Sequence, residues 1–180
     1  ATGVNEPILN GNLFGIYPVN TYRITGDLTI ASNETVTLQP GTQFQFDGQY
    51  SFNVYGTLKA IGTESDSIVF ENYGSEQWSG FTLIDVDEAT EFEYVRISSA
   101  EKHFELNDLY GTGSGMYLSN SNPSINHLVI TGCGMSVYAG IGAGMYLEVS
   151  NPIMNNVTIS KNHAYYGGGM YLNYSNPIIN

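Results

Sequence analysis

Gly115-Met116-Tyr117-Leu118 is followed, two residues later, by Ser121-Asn122-Pro123. The same pair of motifs returns as Gly144-Met145-Tyr146-Leu147 with Ser150-Asn151-Pro152. It returns again as Gly169-Met170-Tyr171-Leu172 with Ser175-Asn176-Pro177. The copies start 29 and then 25 residues apart. A period in this range marks a solenoid: one supersecondary unit cannot bury its apolar face alone and is stacked on copies of itself.

Aligning the copies gives columns. Met116, Met145 and Met170 share one, and Tyr117, Tyr146 and Tyr171 share the next. Side chains alternate faces along a strand, so Met and Leu are expected inside and Tyr outside. After each Asn-Pro corner comes a second short strand, with Ile125, Met154 and Ile179 in one column and Leu128 and Val157 in another. Ile125 and Leu128 are three residues apart, so a bend or bulge must fall between them if both point inward. His127 aligns with Asn156, and His163 with Gly134. The longer repeat carries its extra residues within 134–143, a turn insertion that leaves the flanking strands in register.

The first half follows the same rule with other residues. Residues 22–24, 28–30, 36–38, 44–46, 52–54, 58–60 and 68–70 alternate apolar and polar. Gly26, Asn33, Pro40-Gly41, Asp47-Gly48, Gly56 and Gly62 punctuate them. The inward set is richer in Phe here. No helix-sized amphipathic run occurs, which excludes leucine-rich, ankyrin and tetratricopeptide solenoids. The reading is all-β: a parallel β-helix of six or seven turns at about 25 residues per turn, with equivalent strands about 4.8 Å apart. Residues 1–30 form an N-terminal cap and first strands, 31–110 irregular turns and 111–180 regular repeats. Residues 98–108, which lack an Asn-Pro corner, form a looser loop. The chain stops at Asn180 in mid-repeat, and the polypeptide is expected to continue.

Composition bounds the partners. The chain has 180 residues, 42% of them apolar, enough for a buried core. Five Lys and Arg stand against 17 Asp and Glu, a net charge of -12. No basic stripe exists to neutralise phosphates, so nucleic acid is excluded as a partner, and an anionic membrane surface would repel the chain. No apolar run approaches the roughly 20 residues of a membrane helix. The single Cys133 rules out an intrachain disulfide and reads as a small side chain at a turn.

Four stretches, in order, carry a family resemblance. They are Tyr22-Arg23-Ile24-Thr25-Gly26-Asp27-Leu28-Thr29-Ile30, then Val36-Thr37-Leu38-Gln39-Pro40-Gly41-Thr42, then residues 56–70, then Trp78-Ser79-Gly80. They resemble the N-terminal region of secreted bacterial right-handed parallel β-helix proteins. The repeats at 167–180 are similar to downstream turns of such proteins, including pectin-lyase-like and polymorphic outer-membrane proteins. The resemblance covers residues 20–180. It implies the fold and a secreted or cell-surface location, but no single activity, because this fold carries lyases, hydrolases, adhesins and plain scaffolds.

Candidate sites were weighed on that frame. Glycoside hydrolysis needs two carboxyl groups across the scissile bond, and lyase chemistry needs a base and a cation. After Asp108 the only acid is Glu148 and the only Lys or Arg is Lys161. No catalytic residue is therefore assigned, and the balance is against an enzyme. Asp85 and Asp87, in the acidic run with Glu88, Glu91 and Glu93, are placed by alternation on one strand face. They form a weak Ca²⁺ candidate, with a solvated loop as the preferred alternative. His103, His127 and His163 show no metal spacing and read as surface residues; no cofactor is expected. Asn33-Glu34-Thr35, Asn156-Val157-Thr158 and Asn173-Tyr174-Ser175 match the glycosylation sequon and are read as chance matches. Asn122, Asn151 and Asn176 are expected to stack as a corner ladder with amides bonding along the axis. Tyr117, Tyr146 and Tyr171 form an outward strip that either binds sugar rings or another chain, or simply stacks on itself.

These readings converge on a non-catalytic extracellular or cell-surface structural protein. It would be a rigid rod of an adhesin or self-assembling appendage, with self-association into fibres and with glycans as candidate partners. The alternative is a carbohydrate-active enzyme or glycan-binding module of polysaccharide-lyase type.

Overall fold

The computed structural model describes residues 6–102, 111–134 and 140–180. Among them there are strands and no helix. In chain order the strands are β1 (Ile8–Asn12), β2 (Gly15–Tyr17), β3 (Thr21–Ile30), β4 (Thr35–Leu38), β5 (Gln43–Phe46), β6 (Phe52–Val54) and β7 (Thr57–Ile61). There follow β8 (Ile68–Asn72), β9 (Phe81–Ile84), β10 (Glu91–Ser98), β11 (Gly111–Thr112), β12 (Met116–Ser119) and β13 (Ser124–Thr131). The last are β14 (Gly140–Ile141), β15 (Met145–Glu148), β16 (Ile153–Asn155), β17 (Thr158–Ser160), β18 (Met170–Asn173) and β19 (Ile178–Ile179).

Every strand pairing is parallel, and the pairs fall into three ladders. The first runs β2–β4–β7–β10–β13–β16–β19. The second runs β1–β3–β5–β8–β10–β13–β17. The third runs β1–β3–β6–β9–β12–β15–β18. The chain visits the ladders in strict rotation, and we call one pass a rung. Long strands such as β10 and β13 serve two ladders, one with each half. Residues 8–30 already pair in this way, so the cap and first strands share the pattern of the later rungs. The short pair β11–β14 lies beside the main ladders.

The interval between rungs is less even than about 25 residues. Val36 pairs with Leu58, but Phe81 pairs with Met116, 35 residues on. The extra residues lie between strands, where they do not disturb the register. Of the expected loop at 98–108 and insertion at 134–143, residues 103–110 and 135–139 lie outside the described set.

Alternation decides the interior. Met116, Leu118, Met145 and Leu147 are fully buried, whereas Leu172 on the last rung is exposed. In the early rungs aromatic rings fill the same space. Phe44 stacks on Phe70 with centroids 5.3 Å apart, Phe52 on Phe81 at 5.0 Å, and Trp78 on Phe46 at 4.2 Å. The Trp78 indole N–H donates to the Ser98 carbonyl at 2.8 Å, so its one polar atom is satisfied inside.

Corners are made by residues in the left-handed region, and these too form columns. Tyr94, His127 and Asn156 have φ of 48°, 50° and 53°, and each is the residue the ladder skips between its two halves. This is the bend that the spacing of Ile125 and Leu128 requires. A second column, at the end of the third ladder, holds Asp85, Asn120, Val149 and Tyr174, with φ from 47° to 57°. Asn and Asp tolerate this region; a β-branched residue does not. Val149 is 52% exposed, so no burial offsets its strain. Val149→Asn should stabilise the fold by about 1 kcal/mol, seen as a higher urea midpoint in dilute solution; a lower midpoint would contradict the strain.

Candidate functional site

The candidate residues cluster along the third ladder and the corner that follows it. Tyr117, Tyr146 and Tyr171 are paired in register. Their ring centroids are 5.6 and 5.4 Å apart, with interplanar angles of 33° and 12°. Each ring thus turns its faces along the axis toward its neighbours and only its edge outward. Tyr146, covered on both faces, is 8% exposed. The Lys102 ammonium lies 5.2 Å from the Tyr117 ring centre, a cation–π contact. Sugar binding by aromatic stacking needs an open ring face, and Tyr146 offers only its edge.

Electrostatics tie the strip down further. The Tyr117 hydroxyl donates to the Glu148 carboxylate one rung below. Burial, reinforced by that carboxylate, pushes the Tyr117 phenol up to about 12. Burial also raises Tyr146, helped by the Glu148 charge. Cys133 is pushed up to about 11 by burial, which leaves its thiol protonated and unreactive at neutral pH.

The corner is held from both directions. The backbone N–H of Asn151 donates to Asn122 Oδ1, and that of Asn176 to Asn151 Oδ1, each at 2.6 Å. Each Asn side-chain oxygen thus accepts a peptide N–H of the next rung along the axis. In the opposite sense, the Ser121 N–H donates to Ser150 Oγ and the Ser150 N–H to Ser175 Oγ, both at 2.9 Å. Each of these hydroxyls donates in turn to the carbonyl two residues before it. Corner peptides turn out of the strand ladder, and these side chains supply the acceptors that the ladder no longer provides. Ser121 and Ser150 are fully buried. An amide-to-amide ladder lies elsewhere. Asn155 Nδ2 donates to Asn126 Oδ1 at 2.7 Å, and Asn180 Nδ2 to Asn155 Oδ1 at 2.8 Å. Its signal was in the sequence, because an Asn stands four residues after each corner Asn.

The acidic pair is not arranged as alternation along a strand suggested. β9 ends at Ile84, and Asp85 and Asp87 lie in the corner beyond it, with buried Val86 between them. The left-handed turn at Asp85 breaks the strand. Asp85 accepts from Asn120 Nδ2 at 2.6 Å, and Asp87 from the Ala89 N–H at 2.9 Å. No group of three or more His, Cys, Asp or Glu among the described residues is placed to hold a metal ion. His127 stacks on Tyr94 at 4.3 Å, and its Nε2 lies 3.3 Å from Asn156 Nδ2. The His163 N–H donates to the Cys133 carbonyl. His103 lies outside the described residues.

Two shallow grooves lie along the same corner. One, of about 450 Å³, is lined by Thr29, Ala31, Ser32, Tyr55, Ile84 and Asp85. The other, of about 380 Å³, is lined by Glu88, Asn122, Pro123, Ser124, Asn151 and Ile153. No helix among the described residues is long and apolar enough to cross a membrane.

Comparison with known proteins adds little to this geometry. No family model matches the chain, and no solved structure matches it. Among curated proteins, Protein bark beetle of Drosophila melanogaster is 34% identical over 65 residues. That stretch is 35% of this chain and 2% of the fly protein, so the similarity assigns no family.

Ser150→Ala strands the buried Ser121 N–H and should cost about 1–3 kcal/mol, whereas Asn151→Ala, at an exposed bond, should cost about 1 kcal/mol or less. Denaturant titration checks the order, and equal losses would contradict it. Tyr117 has a raised folded-state pKa, so its contribution is complete below the unfolded value of 10.0 and is lost as pH rises toward about 12. The thermal midpoint should hold up to about pH 10 and fall above it. In Glu148→Gln, Tyr117 should ionise at lower pH by ultraviolet titration.

Proposed function

We propose that this chain is a right-handed parallel β-helix serving as a rigid, non-catalytic rod in a secreted or cell-surface protein, an adhesin or self-assembling appendage. Its bacterial origin is part of the same proposal and rests on the family resemblance. What carries the reading is the continuity of the three ladders. Each passes through every described rung, with a buried interior from Leu13 to Met154. Rods stiffen in this way because hydrogen bonds run along the axis while side chains interlock beneath them. The right hand is favoured because parallel strands joined across one sheet are right-handed in about 98% of cases.

The glycan-binding side of the alternative draws no support from Tyr146, whose two ring faces lie against Tyr117 and Tyr171. Incubation with uronate-containing polysaccharides should yield no ultraviolet-absorbing unsaturated products, and small-angle scattering should give an elongated particle. Unsaturated products that vanish on mutation of Asp85 or Glu88 would overturn the non-catalytic reading.

A further inference from the structure

The outer face of the corner changes character along the axis. Three outward positions can be followed from rung to rung: the left-handed residue after the third ladder, the residue two further on, and the first outward residue of the next strand. They read Asp85, Asp87 and Glu91, then Asn120, Asn122 and Ser124, then Val149, Asn151 and Ile153, then Tyr174, Asn176 and Ile178. Glu91, Ser124, Ile153 and Ile178 are successive partners in one ladder. Acidic thus becomes polar, and then the two flanking positions turn apolar around a retained Asn. Val149 is 52% exposed, Ile153 51%, Tyr174 88% and Ile178 54%.

Two independent observations give this face a role. First, Val149 holds a left-handed φ of 49° at an exposed position whose counterparts include Asp and Asn. Strain retained where burial gives nothing in return points to a contact outside the chain. Second, charge is segregated. Glu148 and Lys161 cancel, so the whole net charge of -12 falls within residues 1–108. Two copies repel wherever their first halves approach and can meet without that cost only through the second half.

We propose that a second copy of this chain docks on this face, two copies meeting antiparallel through Val149, Ile153, Tyr174 and Ile178. The contact is isologous, so each copy presents the same patch. The antiparallel arrangement overlaps the neutral rungs and sends the acidic halves in opposite directions. The groove beside Ile153, lined by Asn122, Pro123 and Asn151, receives the protruding Tyr174 ring of the other copy. Aromatic anchors in pockets dominate such contacts. A face two rungs high is small, so the dimer is weak. It strengthens with salt, which screens the remaining repulsion.

Sedimentation equilibrium up to about 1 mM protein tests this. The mass should rise to twice that of the monomer and stop. Tyr174→Ser should weaken association roughly tenfold. The triple variant Val149→Asn, Ile153→Thr, Tyr174→Ser should stay monomeric, with unchanged circular dichroism. Ile8→Thr and Ile16→Thr, at exposed apolar positions on the first rung, should leave association unchanged. If the triple variant misfolds, Tyr174→Ser alone decides, because that side chain is almost wholly in solvent. A monomer throughout, growth beyond the dimer, or association that survives Tyr174→Ser and falls with Ile16→Thr would overturn the proposal. Unsaturated sugar products would refute the non-catalytic reading and leave this contact standing; a monomer would do the reverse.

Discussion

The structure depends on one constraint: the strand peptides of a rung must find their hydrogen-bond partners in the rung above or below. Parallel pairing imposes this, because a strand cannot fold back on its immediate neighbour through a tight turn. Once rungs are locked vertically, each side chain stands over its equivalent. Rings then stack on rings, and methionine stands in register with methionine. The corners inherit the same logic, with Ser and Asn oxygens accepting the peptide N–H groups that the turn removes from the ladder.

Vertical stacking also explains why the chain tolerates such different interiors. The early rungs carry Phe44, Phe70, Phe52, Phe81 and Trp78; the later ones carry Met116, Met145, Leu118 and Leu147. A column accepts different volumes along the axis: Phe92 pairs with Ala60, and Phe81 with Met116. Insertions are tolerated for a related reason. Residues added between strands lengthen the path round a rung without moving any ladder register, as the interval between Phe81 and Met116 shows.

The outer surface carries the functional information, and it is uneven. The tyrosine column serves its own stability, with Tyr146 held between Tyr117 and Tyr171 and the Tyr117 hydroxyl held by Glu148. The neighbouring corner is different. Its outward positions pass from carboxylates to polar groups and then to apolar groups flanking a retained Asn, and its acidic pair is engaged in local hydrogen bonds rather than gathered around an ion. A surface that is uniform in backbone and graded in side chains can hold distinct contacts at distinct rungs.

The repeats by themselves determined the all-β class, the inward Met and Leu, and the bend between Ile125 and Leu128. Period and alternation are local properties that any stacked solution must satisfy. The column of Tyr117, Tyr146 and Tyr171 was legible for the same reason. Only the tertiary structure decided what those side chains do. Ring orientation, the direction of the corner hydrogen bonds and the break after Ile84 depend on neighbours 25 to 35 residues away. The left-handed φ at Asp85 shows the limit of the pattern. Strand alternation carried through that residue puts Asp85 and Asp87 on one strand face, but the demands of the next rung turn the chain there, and sequence spacing carries no record of that turn.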